Sequence, residues 1–147
     1  MTTDLIRLLE VELESLDRAM EHLDYSYQRC MPLTGSVLSD EELERFEALT
    51  SRFARVSDIL VQKLFRIIDQ LDLDDAGTAR DRINRAEKKG MIARANEFVE
   101  IRQLRNVIAH EYEPEAMQTI FASVLRHCPS LFDAAARVRA YAQRYTG

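Results

Sequence analysis

The chain is built almost entirely from segments in which apolar residues recur every three or four positions, the spacing of an amphipathic α-helix. The first segment predicts a helix from about Thr3 to Arg29, after which Pro32 interrupts the pattern. Its apolar residues form one stripe: Leu9, Leu13, Leu16, Met20, Leu23 and Tyr27. Ser39 and Glu42 have the spacing of a capping box, which predicts the start of a second helix. That helix extends over about 30 residues and ends at Leu71.

Two shorter helices are predicted in the middle of the chain. Thr78 is a suitable N-cap for a third helix that ends at Lys89, and Gly90 directly after it is typical of a helix C-terminus. A fourth helix is expected from about Ile92 to Tyr112. Its apolar residues fit the helical period: Phe98, Ile101, Leu104, Val107 and Ile108.

A fifth helix is predicted from Pro114 onward, because proline suits the first turn of a helix. Pro129 lies inside this segment and is expected to kink or split the helix. The chain has only 4 Gly and 3 Pro, and its β-branched runs are short, which favours helix throughout. We therefore predict one all-α domain spanning residues 1–147, an up-and-down bundle of about five helices with two long members.

The charge of the chain is unevenly distributed, although the formal net charge is −5. Residues 1–50 hold 4 Lys/Arg against 12 Asp/Glu, a net of −8, which suits contact with a basic partner. Residues 80–105 hold 8 Lys/Arg against 4 Asp/Glu, a net of +4. A basic segment of this kind either lies on a solvated helix face or attracts a polyanion such as RNA.

Cysteine usage and the N-terminus point to a reducing compartment. Cys30 and Cys128 are too few for a disulfide framework and are expected to be buried thiols. The N-terminus lacks the features of a signal peptide, and no apolar run approaches the length of a membrane span, so we expect a cytoplasmic protein without a membrane partner. His127 next to Cys128 lacks the spacing of a metal motif, and neither a metal nor a cofactor is expected.

Candidate chemistry is concentrated between Arg105 and Tyr112, just before Pro114. A guanidinium such as that of Arg105 stabilises the charge on a phosphate, and an imidazole such as that of His110 transfers protons near neutral pH. Together these groups are sufficient to activate an RNA 2′-hydroxyl against its own phosphate without a metal. On one helix the two side chains point about 140° apart, so two copies of the helix at a symmetric interface would form a tighter site.

The pattern Arg105-x-x-x-x-His110-x-Tyr112 in a short all-helical chain resembles the HEPN superfamily, in particular the HepT-like toxins of type VII HEPN–MNT toxin–antitoxin systems. Asn106 after the arginine matches a frequent feature of that family. The resemblance implies a metal-independent endoribonuclease that acts as a homodimer, with Arg105 and His110 as catalytic residues. It also implies a nucleotidyltransferase antitoxin that transfers AMP to Tyr112 and thereby blocks the site.

Four basic residues near the motif are expected to steer RNA toward it: Lys88, Lys89, Arg94 and Arg102. Two other interpretations stay open at this point. The same bundle is compatible with a non-catalytic partner that presents Tyr112 to a nucleotidyltransferase. It is also compatible with a plain structural bundle in which Arg105 pairs with Glu97 or Glu100 and His110 merely caps its helix.

Overall fold

The computed structural model describes residues 2–33, 37–74, 76–111 and 113–147. These residues form an all-helical bundle and contain no strand, which confirms the predicted fold class. The elements are α1 (Thr2–Cys30), α2 (Asp40–Asp58), a π-helical segment (Ile59–Leu64), α3 (Phe65–Leu71), α4 (Ala79–Lys89), α5 (Ala95–His110) and α6 (Pro114–Thr146).

The long helix made by α2, the π-helical segment and α3 lies at the centre of the bundle. α1 packs along it and against α6, while α5 packs between α2, α4 and α6. The apolar stripe predicted for α1 is largely the face that faces the core, with buried Leu9, Leu13, Leu16 and Leu23. One contiguous core joins all the helices, and its largest fully buried side chains include Phe53, Phe65, Met91 and Ile101.

The predicted helix ends are confirmed where local side chains determine them. Ser39 and Glu42 form the capping box: the Glu42 N–H donates to Ser39 Oγ at 3.2 Å, and the Ser39 N–H donates to Glu42 Oε1 at 2.9 Å. Thr78 caps α4 through the same arrangement with Asp81. Gly90 ends α4 with φ at 81°, a left-handed conformation that glycine adopts without steric cost.

The fourth helix starts later than predicted. α5 begins at Ala95 rather than near Ile92, because Ile92 is buried in the turn after α4 and Arg94 is extended with φ at −145°. The Ala95 N–H donates to Glu87 Oε2 at 2.8 Å, so a side chain from α4 satisfies a backbone donor at the start of α5. α5 ends at His110, and the predicted end at Tyr112 lies outside the described residues.

The second helix contains a π-helical segment that its sequence period did not predict. Within it the Phe65 N–H donates to Leu60 O, five residues back. Ile59, Leu60 and Val61 are all buried, although they are consecutive in sequence. In an α-helix with one apolar face, three consecutive side chains point in different directions, and at least one of them is normally exposed. The wider turn of the π-helical segment changes the helical register, so that neighbouring helices cover all three side chains.

Of the two outcomes expected at Pro129, a kink or a split, the split does not occur. α6 runs from Pro114 to Thr146 through Pro129, although a proline inside a helix costs about 3 kcal/mol. The neighbouring side chains Val124, Cys128 and Leu131 are all fully buried. Tertiary packing of this face therefore outweighs the local penalty of the proline.

A buried carboxylate connects α3 to α4. Asp69 is only 1% exposed and accepts from Arg85 Nε at 3.0 Å and from Lys89 Nζ at 2.7 Å. Lys89 also lies 2.8 Å from Asp72, which accepts from the hydroxyls of Tyr141 and Tyr145 on α6. This network joins three helices. It pairs two basic side chains of the segment 80–105, Arg85 and Lys89, with carboxylates.

Asp69→Asn is expected to lower the free energy of unfolding by about 3 kcal/mol, because it leaves Arg85 and Lys89 facing an uncharged amide in a buried site. Urea denaturation at neutral pH measures this. Asp133→Asn is the matched control, since Asp133 forms an exposed pair with Arg137 and such pairs contribute about 0.5 kcal/mol. Equal effects of the two substitutions would contradict a structural role for the Asp69 network.

Candidate functional site

The candidate catalytic residues lie on the C-terminal half of α5. Its N-terminal half is anchored in the core by Phe98 and Ile101, which are buried. Beyond Ile101 the helix is less covered: the Arg105 side chain is 28% exposed, and His110 is exposed at the last helical position. Asn106 is exposed as well. The structure thus places Arg105 and His110 on one helix, five residues apart, on a part of the helix that solvent reaches.

Arg105 is held by a carboxylate of α2. Its Nε donates to Asp58 Oδ1 at 2.8 Å and its Nη2 donates to Asp58 Oδ2 at 3.0 Å, a bidentate arrangement. Arg102, one turn earlier on α5, donates from Nη1 to the same Asp58 Oδ1 at 2.8 Å and to Ser57 Oγ at 3.0 Å. Two guanidiniums therefore share one carboxylate, and the three groups together keep a charge of +1.

Asp58 and Arg105 stabilise each other in their charged forms. Burial raises the pKa of Asp58, but the hydrogen bonds from Arg105 and Arg102 outweigh it and hold that pKa below its usual value. The hydrogen bond to Asp58 likewise raises the pKa of Arg105. Asp58 thus fixes the direction of the Arg105 guanidinium without cancelling the positive charge of the cluster.

Asp58 was missed by sequence reasoning, which considered Glu97 and Glu100 as partners of Arg105. In the structure Glu97 accepts from Arg94 Nη2 at 2.9 Å instead. Both glutamates also lie just under 4 Å from the ring nitrogens of His127, which is buried. The sequence held one signal for this partner: Ser57 and Asp58 are two polar residues between Val56 and the apolar residues 59–61 of the second helix.

The four residues expected to steer RNA have different environments. Lys88 is exposed, and Arg94 is largely exposed although it pairs with Glu97. Lys89 is only 12% exposed and contacts the carboxylates of the Asp69 network, and Arg102 is 16% exposed beside Asp58. Much of the positive charge of residues 80–105 is thus balanced inside the fold.

The end of the motif is described only in part. Tyr112, the candidate modification site, lies outside the described residues. Glu111 follows α5 in an extended conformation, and its N–H donates to Val107 O at 2.8 Å. One carboxylate oxygen of Glu111 accepts the N–H of Glu113 at 2.8 Å, so this oxygen is directed at the backbone of the turn before α6.

The remaining sequence expectations concern metals, thiols and membranes. Cys30 and Cys128 are buried thiols, and burial raises the pKa of Cys128 to about 12, so that it stays protonated. Among the described residues, no three His, Cys, Asp or Glu side chains are arranged to hold a metal ion. A search of the same residues found no helix with both the length and the apolar character of a membrane span.

Comparison with known proteins adds no relative. No protein-family model and no curated protein matches the chain. The resemblance to HEPN toxins therefore rests on the sequence motif from Arg105 to Tyr112.

Asp58→Asn is expected to lower the free energy of unfolding by about 1–2 kcal/mol at pH 7, because hydrogen bonds between charged groups contribute this much at a partly exposed site. The pKa of Asp58 is lowered by folding, so its contribution is complete above the unfolded pKa of about 4 and is lost as the pH falls through the folded pKa. Urea denaturation of wild type and variant from pH 7 to pH 3 measures the difference.

The control for this prediction is Asp24→Asn on the exposed face of α1, with an expected change within about 0.5 kcal/mol. A stability difference between wild type and Asp58→Asn that stays constant down to pH 3, or that grows in acid, would show that the charge of Asp58 is not what holds α5.

Proposed function

We propose that this chain is a metal-independent endoribonuclease toxin of the HEPN type, active as a homodimer and neutralised by transfer of AMP to Tyr112. One observation carries the proposal: Asp58 of α2 orients the guanidinium of Arg105. Arg105 lies on α5, the helix that ends at the exposed His110. A guanidinium that is fixed before the substrate arrives loses little entropy when it binds a phosphate, which is the requirement for electrostatic catalysis.

In the proposed reaction, His110 takes the proton of an RNA 2′-hydroxyl, and the 2′ oxygen attacks the adjacent phosphorus. The bond between phosphorus and the 2′ oxygen forms while the bond to the 5′ oxygen breaks, which yields a 2′,3′-cyclic phosphate. The leaving 5′ oxygen takes a proton from a second imidazole, supplied by the other copy. Arg105 stabilises the charge that develops on the phosphate oxygens. DNA has no 2′-hydroxyl and is spared.

Helix geometry favours a site shared by two copies. Residues five apart on α5 point about 140° away from each other, so Arg105 and His110 of one copy do not converge on one phosphate without help. Val107, between them in sequence, is 44% exposed, and Leu104 and Ile108 beside it are only partly buried. A second α5 packed against these apolar side chains would cover them and bring a second arginine and histidine to the same cleft.

The proposed regulation rests on the resemblance to HEPN–MNT systems, which assigns the AMP transfer to Tyr112, two residues beyond His110. A nucleotidyltransferase partner would join the tyrosine oxygen to the α-phosphorus of ATP, with loss of the phenolic proton and departure of pyrophosphate. The bound AMP adds a bulky anionic group seven positions after Arg105 in the sequence. In the proposed mechanism this group competes with the RNA phosphate for the guanidinium of Arg105.

The test of the nuclease proposal is RNA cleavage in the presence of EDTA. Wild type is expected to cut RNA and leave DNA intact, while Arg105→Ala and His110→Ala reduce the rate by about 100-fold or more, the usual cost of losing a charge stabiliser or a general base. Arg18→Ala and His22→Ala on α1 are matched controls that remove the same side chains from exposed positions elsewhere. Cleavage at the same rate by wild type and both site variants would rule out this site.

One observation favours a second candidate function. Asp58 occupies Nε and Nη2 of Arg105, the pair of nitrogens that would otherwise form a fork with a phosphate. An arginine engaged in this way also suits a non-catalytic bundle that presents Tyr112 to a nucleotidyltransferase. Such a protein would form the complex and accept AMP but would not cleave RNA in any state.

Intact-mass measurement tests the role of Tyr112 that both candidates share. After incubation with a nucleotidyltransferase partner and ATP, the wild-type chain is expected to gain the mass of one or more AMP units, whereas Tyr112→Phe gains none. Tyr25→Phe, at an exposed tyrosine of α1, serves as the control and is expected to behave as wild type. An unchanged mass in wild type, or an equal increase in Tyr112→Phe, would remove Tyr112 from the mechanism.

A further inference from the structure

A surface of uncompensated positive charge lies beside the Asp58 cluster. Lys63 in the π-helical segment and Arg66 at the start of α3 are exposed, and neither makes an ion pair within 4 Å among the described residues. Arg82 of α4 is half-buried close to Arg66, and its Nη1 donates to the backbone oxygen of Val61 at 3.4 Å. The π-helical segment thus supplies an exposed cation, Lys63, and a backbone carbonyl, that of Val61, which accepts a hydrogen bond from the cation of Arg82.

The guanidiniums in this region repel one another. Burial lowers the pKa of Arg82, and the neighbouring charges of Arg66, Arg85 and Arg102 lower it further, while Asp69 alone acts in the opposite direction. Asp69 is already shared by Arg85 and a lysine, as Asp58 is shared by two arginines. Neither Arg66 nor Arg82 forms an ion pair with a carboxylate within 4 Å among the described residues.

An anion bound at this place would offset the repulsion, since each negative charge placed among several guanidiniums is attracted by all of them. The basic surface is defined by Lys63, Arg66 and Arg82. Lys63 lines the same surface depression as Asp58, and the charges of Arg66 and Arg102 both act on Arg82. Two residues of the basic surface, Lys63 and Arg66, lie outside the segment 80–105, which the charge count along the sequence identifies as basic. The basic surface is continuous with the candidate site, because Arg102 and Arg105 contact the same oxygen of Asp58.

We propose that the basic surface binds the phosphate backbone of single-stranded RNA and leads it across the π-helical segment to Arg105 and His110. The inference rests on the proposed nuclease function for the identity of the polyanion. Backbone phosphates fit better than an acidic protein segment, because two of the three cations are arginines, whose forks match phosphate oxygens, and because the surface ends at a candidate phosphate-cleaving site. An acidic protein segment is the alternative occupant that the test below separates.

The test uses wild-type protein and a fluorescent 2′-O-methyl RNA, which binds but lacks the hydroxyl needed for cleavage. Anisotropy is measured over a salt series, because each phosphate neutralised on a single strand contributes about 0.7 to the negative slope of log K against log salt. Lys63→Ala with Arg66→Ala is expected to reduce the size of this slope by about 1.4 and to weaken binding by at least 10-fold at low salt. Both side chains are exposed, so the variant keeps its core intact.

The matched control is Arg7→Ala with Arg18→Ala, which removes two exposed arginines from α1 and changes the net charge equally. It is expected to leave the slope unchanged. An equal loss of slope in both double variants would show that overall charge alone drives binding and would overturn the proposal. An unchanged slope in the Lys63/Arg66 variant would do the same, as would tight binding of poly-glutamate that RNA fails to displace.

The proposed nuclease function and the basic surface fail separately in these measurements. RNA binding that depends on Lys63 and Arg66, without cleavage of ordinary RNA by any form of the protein, would support the surface and refute the nuclease. Cleavage that requires Arg105 and His110 but proceeds with the same KM in the Lys63→Ala, Arg66→Ala variant would support the nuclease and refute the surface.

Discussion

Two carboxylates on the long central helix, Asp58 and Asp69, position α4 and α5, the two helices of the basic segment 80–105. Each is shared by two cations: Asp58 by Arg102 and Arg105 of α5, and Asp69 by Arg85 and Lys89 of α4. An unpaired charge at either buried or half-buried site would be costly, so the pairing constrains how α4 and α5 lie against the core. The arrangement at the candidate site is a consequence of this constraint.

This constraint changes the meaning of the basic segment 80–105. A net charge of +4 in the sequence is compatible with a polyanion-binding surface. In the structure, however, Arg85, Lys89 and Arg102 form ion pairs with carboxylates of the fold. Lys63 and Arg66 form no ion pair with a carboxylate among the described residues. They lie on the long central helix, outside the basic segment 80–105. Charge that is uncompensated in space, and not charge density along the chain, therefore identifies the surface that we propose for a polyanion.

Local rules were sufficient for the parts of the fold that local interactions determine. The capping box of Ser39 and Glu42, the cap at Thr78 and the glycine end at Gly90 all involve residues a few positions apart, and each was predictable. The pairing of Asp58 with Arg105 spans 47 positions, so no periodicity shows it. The uninterrupted course of α6 through Pro129 depends on buried neighbours, which a propensity rule does not include. The candidate residues were thus predictable as a motif, but the orientation of Arg105 was not.

The hydrogen bond from the Ala95 N–H to Glu87 has a further consequence for how this chain tolerates change in length. It ties the first residue of α5 to α4, while Asp58 ties Arg105 further along the same helix, so the rotation of α5 about its own axis is set at two points. One residue inserted or deleted within α5 between Ala95 and Arg105 would turn everything after it by about 100°, and one of the two ties would break. Length in this stretch is therefore under geometric restriction even where the side chains are exposed.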